Sequence, residues 1–326
     1  MKSISILVPE RARLSSIEIP RHAFTEVNDL FLADGNAPIF NIQMVGLTES
    51  VELNDGLYSV KTDVLLKDVE KTDLIIVPAM QGNLKEGLEL NLAFLPWIVK
   101  QYKSGAEVAS LCVGAFLLAA TGLLKGMQCS THWRAADDFR IVFPDVNLVV
   151  DKILTDEKGI YSSGGAFSSS NLVLYLIEKY AGRDIAVRCS KMFQIDIERG
   201  SQSPFMIFRG LKEHGDEQVK KAQEFIETNY KDRITVDQLS EIFSIGRRTF
   251  ERRFKKATFN SVIEYVQRVK VEAAKKQLES GRKTINEVMY DVGYTDNKAF
   301  RDVFKKIAGM SPVDYRNRYN MERVFY

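Results

Sequence analysis

The chain has 326 residues, 45% of them hydrophobic and 27% charged, the balance of a soluble globular protein with room for two domains. No stretch approaches the roughly 18 uninterrupted apolar residues of a membrane span, and residues 1–9 read as a short β-like run rather than a secretion signal. The net charge of +2 hides an asymmetry, because residues 219–326 hold about 23 Lys and Arg against about 15 Asp and Glu, leaving a net of about −6 on the rest.

In chain order, residues 3–8 are strand-like, 24–33 helical and 39–45 strand-like again. A buried-strand pattern at 73–77 ends in Pro78, 90–102 is helical, and 107–111 is a strand. Small-residue helix 113–121 follows, then a strand at 127–131, a hairpin over 153–162 centred on Asp156-Glu157-Lys158-Gly159, and a helix at 167–180. Apolar β-branched runs alternating with helical patterns predict βαβ units, a mainly parallel sheet and helices on both its faces. Beyond about residue 205 the β pattern stops. The polar, glycine-containing stretch 209–218 reads as a linker, so the expected domains are 1–208 and 219–326.

Residues 234–256 form the first motif of the second domain. A short helix over 237–243 places Leu239, Ile242 and Phe243 on one face, Ser244-Ile245-Gly246 makes a turn, and a second helix starts at about Arg247. Phe250 and Phe254, four apart, mark its buried side, leaving Arg248, Thr249, Glu251 and Arg252 outward. Two short helices with arginines presented by the second are helix-turn-helix chemistry, since an Arg fork fits guanine O6 and N7 or a phosphate. About fifty residues on, the arrangement recurs. Residues 284–291 form the first helix, Gly293 the turn, and 296–306 the second helix, with Phe300 and Phe304 buried and Asn297, Lys298 and Arg301 outward. Arg253 and Lys306 are further candidates for phosphate. The amphipathic stretch 262–278 is a rigid spacer that can hold the two second helices roughly 34 Å apart, for successive major grooves.

These residues, with Ile245-Gly246-Arg247-Arg248-Thr249-Phe250 and Gly309-Met310-Ser311-Pro312 among them, resemble the AraC/XylS family of DNA-binding domains over essentially all of 219–326. One departure is Thr258-Phe259-Asn260, where that family usually has Thr-Gly; Asn260 is the expected left-handed residue closing the helix.

In the first domain the informative segment is 105–133. An apolar strand runs into Cys112, and Gly114 and Ala115 open a helix directly behind it, the geometry of a nucleophile elbow, where a helix N-terminus lowers a thiol pKa. His132 returns to the same rim. Cys112, Val113, His132, Trp133 and the turn 78–82 are therefore the candidate small-molecule pocket at the carboxyl ends of the strands. Cys129 and Cys189 fall in strand and helix patterns and read as core. Three separated cysteines suit a reducing cytoplasm and form neither a disulfide framework nor a thiolate metal site.

The segment resembles the PfpI-like, class I glutamine-amidotransferase-like superfamily over most of residues 1–205, including Ser162-Ser163-Gly164-Gly165 and Glu198-Arg199-Gly200-Ser201-Gln202-Ser203. With an AraC-type domain behind it, the chain resembles the GlxA family of regulators. The resemblance implies an α/β, flavodoxin-like, mainly parallel sheet flanked by helices, followed by an all-α domain with two helix-turn-helix units. It also implies a ligand-responsive regulator, with an amino acid or quaternary amine as an effector. Enzymatic members pair the cysteine with a His and an acidic residue; here Arg11-Ala12-Arg13 stands after the first strand, and Val113 follows Cys112 where protease-like members carry His. A Cys–His pair without a carboxylate is a poor nucleophile, so no catalytic residue, metal or cofactor is assigned. The expected partners are double-stranded DNA at an operator or promoter, a small-molecule effector, RNA polymerase and a second copy in a homodimer, with no membrane. The alternatives are an amidase or glyoxalase-like hydrolase using Cys112, fused to a DNA-binding module, and a regulator whose first domain is a ligand-free dimerisation scaffold.

Overall fold

The computed structural model describes residues 1–197 and 200–321. The chain divides into two compact units, Met1–Gln202 and the residues from Ser203 onward. Residues 203–208, expected at the tail of the first domain, pack within the second, where the Phe208 ring lies 5.1 Å from that of Tyr265. No helix among the described residues is long and apolar enough to cross a membrane.

The first unit opens with β1 (Lys2–Val8), α1 (Leu14–Ala33) and β2 (Phe40–Gly46), then the hairpin β3 (Ser50–Leu53) and β4 (Tyr58–Lys61). β5 (Val64–Leu65), β6 (Leu74–Val77), α2 (Leu84–Leu90), α3 (Phe94–Lys103) and β7 (Glu107–Ser110) follow. Next come α4 (Ala115–Ala120), β8 (Gln128–Cys129), α5 (Ala136–Val142) and β9 (Asn147–Leu148). β10 (Leu154–Glu157), β11 (Ile160–Ser163), α6 (Ser169–Ala181) and α7 (Arg183–Phe193) complete it. The main sheet has seven strands in the order β10-β11-β7-β6-β1-β2-β5, parallel except for the β10–β11 hairpin.

The central strands are apolar on both sides because both faces of the sheet are covered. Ile4, Ile6, Leu74 and Ile76 face a core with Phe24, Val27, Leu172 and Leu176, from α1 and α6. The alternate residues Leu7, Ile75, Val77 and Val108 face a second core with Trp97, Ile98, Phe116 and Leu117, from α3 and α4.

Four expectations change. The helix expected at 24–33 starts ten residues earlier and runs through Pro20. Ile17, Pro20, Phe24 and Val27 share its buried face, and that burial outweighs the backbone bond proline cannot make. The helix expected at 90–102 is broken at Asn91, a fully buried side chain bonded to both the N–H (2.9 Å) and C=O (3.0 Å) of Glu10. The helix after Cys112 begins only at Ala115, behind a single 3-10 turn. Finally, β8 is two residues long and pairs with β9, outside the main sheet, because Ser130 and Thr131 turn to bond Ser162 Oγ and the Cys112 carbonyl instead.

The second unit is helical: α8 (Glu217–Thr228), α9 (Val236–Ile242), α10 (Arg247–Thr258), α11 (Val262–Glu279), α12 (Ile285–Asp291), α13 (Asn297–Ala308) and α14 (Pro312–Tyr319). Two small cores are strung along α11. Val262, Tyr265 and Val266 join Leu239, Phe250 and Phe254, while Val271, Ala274 and Leu278 join Val288, Phe300 and Phe304. Between them lies Lys270, whose ammonium bonds the carbonyls of Asp232 (3.3 Å) and Gly293 (3.2 Å) and sits over the Tyr294 ring.

The turns of the two motifs differ in chemistry. In each, the last turn of the first helix closes with a bond five residues back, Ile245 to Ser240 and Tyr294 to Met289 (3.0 Å each). The residue between is left-handed: Gly293 at φ 77 in one, Ser244 at φ 50 in the other. Ser244→Gly should therefore raise stability by about 0.5 kcal/mol, the relief of left-handed strain less the entropy glycine loses on folding. The urea midpoint reads this, and a lower midpoint refutes it. At the end of α10 the left-handed residue is Phe259 (φ 55), not Asn260. Asn260 is held back by bonds to Thr258, its amide to the Thr258 carbonyl and its N–H to the hydroxyl. The equivalent place after α13 has Gly309 at φ 73.

Candidate functional site

The second helices α10 and α13 bury the same positions. Phe250, Phe254 and Thr258 of one match Phe300, Phe304 and Ala308 of the other. That leaves Arg248, Thr249, Glu251 and Arg252 exposed on α10, and Lys298 and Arg301 exposed on α13. Asn297 is half-buried, and its amide donates to Asn286 Oδ1 at 2.9 Å. Among the described residues no ion pair engages Arg248, Arg252, Lys298 or Arg301, and no side-chain hydrogen bond does so either.

Neighbouring arginines are otherwise occupied. Arg247 binds Asp237 through Nη1 at 3.0 Å and lies 3.9 Å from Glu251. Arg253, grouped from sequence with possible phosphate ligands, forks onto Asp216 at 2.6 and 2.8 Å and onto Gln218 at 3.0 Å. That pairing holds the Asp216 carboxyl below its ordinary range and ties α10 to the start of α8. The cations left free point outward from two equivalent helices, an arrangement suited to phosphate and base edges.

In the first unit a cavity of about 540 Å³ lies at the carboxyl ends of β1, β6, β7 and β11. Cys112, Val113 and His132 line it, together with Ala79 to Gly82 and Ala166. Trp133 lies outside its wall, half-buried, with its ring 5.6 Å from that of His132. Arg13 and Arg134 also line it. Neither arginine carries a sequence signal of its own, except that Arg13 stands where enzymatic relatives would have an acid. Glu198 and Arg199 of the quoted motif lie outside the described residues, while Gln202 reaches inward to the Thr131 carbonyl at 3.1 Å.

Cys112 occupies the elbow at φ 57, with its carbonyl held by Thr131 Oγ1 at 2.9 Å. Burial pushes its thiol above the ordinary range, against the opposing pull of the Ala166 and Val113 amides and the Arg13 charge. The expected lowering by a helix N-terminus is thus overturned by desolvation. His132 is pushed down, first by burial and then by the charges of Arg134 and Arg13, and its Nδ1 accepts from the Arg134 N–H at 3.1 Å. Its ring packs on Gly165, where a Cβ would fall 1.7 Å from Cδ2. Cys129 and Cys189 are fully buried, with thiols pushed up to about 12 and about 11.

Iodoacetamide at neutral pH should therefore label Cys112 more slowly than a free thiol, with the rate climbing only in alkali as the thiolate forms. Mass spectrometry of the labelled peptide reads this. Labelling faster than free cysteine at neutral pH would return the hydrolase reading.

A mainly parallel, helix-flanked sheet with an elbow cysteine at its rim, joined to a double helix-turn-helix unit, defines the class. The DJ-1/PfpI family model matches residues 2–179, and a helix-turn-helix domain model matches 239–318. The chain belongs to the DJ-1/PfpI family, with an AraC-type helix-turn-helix domain behind that fold. It is 27% identical over 266 residues to the HTH-type transcriptional regulator GbdR of Pseudomonas aeruginosa, covering 81% of this chain and 71% of that one. It is 22% identical to the HTH-type transcriptional regulator GlxA of Rhizobium meliloti over 66% of each chain. Among solved structures, Drosophila melanogaster DJ-1beta superposes with a TM-score of 0.50 at 18% identity, over 60% of this chain and 98% of its own.

Proposed function

We propose that the protein is a sequence-specific DNA-binding transcription regulator, controlled by a small molecule taken up in the rim cavity of its first unit. The observation that carries this is the repeated outward face of α10 and α13, where Arg248, Arg252, Lys298 and Arg301 have no ion pair or side-chain hydrogen bond among the described residues. Thr249, Glu251 and Asn297 complete the base-reading set on this proposal. GbdR and GlxA, similar over both units, carry the name of transcriptional regulators, which supports the same reading.

The reading is non-catalytic. A thiol held protonated, sharing a cavity wall with a His that has no carboxylate partner among the described residues, lacks the activation a cysteine nucleophile needs. It also includes a cytoplasmic homodimer that meets RNA polymerase at its promoters. Selection of binding sites from random DNA, followed by titration at several salt concentrations, tests it. A site enriched in selection and an affinity falling steeply with salt are expected. Full-length protein with no salt-sensitive DNA affinity overturns it, and sedimentation reads the dimer.

A further inference from the structure

We infer that the rim cavity takes a small organic carboxylate, its anionic end between the guanidiniums of Arg13 and Arg134 and its apolar end over Ile19 and Phe167. This rests on the reading of the first unit as the sensing unit and gives that site a ligand class.

Arg13, on the segment after β1, and Arg134, on the turn after β8, enter one cavity from separate parts of the chain. Among the described residues neither guanidinium has an ion pair or hydrogen bond, whereas Arg11, two residues before Arg13, is engaged by Glu86 at 2.7 Å. The charge of Arg13 acts on both Cys112 and His132, and that of Arg134 on His132, so both cations lie near the residues that line this space with them. Burial keeps the thiol protonated, and the imidazole is held towards its neutral form. Asp138 is the one carboxylate on the wall among the described residues, and it is itself engaged. The cavity therefore presents uncompensated positive charge, and two planar forks suit a carboxylate.

The apolar end follows from the same wall. Ile19 and Phe167 also line an adjoining cleft of about 220 Å³ between α1, α6 and α7, with Val173, Leu174 and Phe193. Phe167 is 80% exposed, a large aromatic side chain at the border between charged cavity and apolar cleft. A ligand with one anionic and one apolar end matches both halves. Inorganic phosphate would leave the apolar half unused.

The test is calorimetry and thermal melting of the full-length protein with sodium hexanoate, sodium acetate, hexanamide and inorganic phosphate. Hexanoate should bind best and raise the melting midpoint. Arg13→Ala and Arg134→Ala should each weaken it about tenfold or more, and Phe167→Ala should weaken hexanoate but not acetate. Hexanamide or phosphate binding as well as hexanoate, no carboxylate binding at all, or arginine variants that bind like the parent would overturn the assignment. If Phe167→Ala instead splits a dimer and leaves hexanoate affinity unchanged, a second copy covers the cleft and the apolar half of the assignment falls. Salt-dependent DNA binding is measured on the same samples without ligand. If it persists while carboxylates fail, only the ligand class is refuted; if it is absent, the regulator reading fails.

Discussion

Arg248→Ala is expected to weaken binding to the selected DNA site by about fivefold to a hundredfold or more, the roughly 1–3 kcal/mol of one good base contact, and to relax preference at one base pair. Arg301→Ala should do the same at a second position. The two changes should combine nearly additively, because the helices belong to separate small cores. Lys255→Ala, on an exposed position further along α10, is the contrast. A residue that only touches phosphate lowers affinity for every sequence alike and shallows the salt dependence by about one unit. Anisotropy titrations on specific and scrambled duplexes separate these outcomes. Equal losses on both duplexes would demote Arg248 and Arg301 from readers to phosphate anchors.

Gly293→Ala is expected to cost about 3–4 kcal/mol and to abolish specific binding. Its φ of 77 already penalises a side chain, and a Cβ there would lie 1.9 Å from the Lys231 carbonyl oxygen. Backbone cannot rotate away as a long side chain can, so the turn between α12 and α13 must shift. Gly246→Ala is the control, with φ of −56 at the N-cap of α10 and, chain neighbours aside, no atom of the described residues within 4 Å of its Cβ position. Melting of the helical unit should drop sharply for the first variant and little for the second. Equal midpoints would show that the 231–293 contact is soft.

The helical unit was legible because its signal is local. Phe250 with Phe254, and Phe300 with Phe304, are spaced so that one face must be buried, which fixes what faces outward. The parallel strands were legible for a similar reason, their uninterrupted apolar runs. What the sequence did not carry depends on partners far along the chain. Pro20 sits inside a helix because its neighbours are buried, which residue spacing near it does not show, and Asn91 reads as an ordinary helix residue until Glu10 is beside it. Arg13 and Arg134 come together only at the ends of strands more than a hundred residues apart. Arg253 is a phosphate candidate in sequence; Asp216, within the stretch that reads as a linker, occupies it instead. Phe259 shows the reverse case, in which a poor residue for a left-handed turn is tolerated because the helices on either side determine the path.

The Lys270 junction has a consequence for the DNA rather than for the protein. One buried ammonium grips a carbonyl from the loop ahead of α9 and another from the turn ahead of α13, at the place where Gly293 and Lys231 already touch. A hinge there would let the two halves follow operators of varied spacing. With the hinge clamped, helical phase becomes part of the recognised sequence: five base pairs inserted between the two contacted elements turn one of them about half a revolution away, and no rotation within the domain restores it. Promoters answering to this protein should share one spacing even where their bases differ.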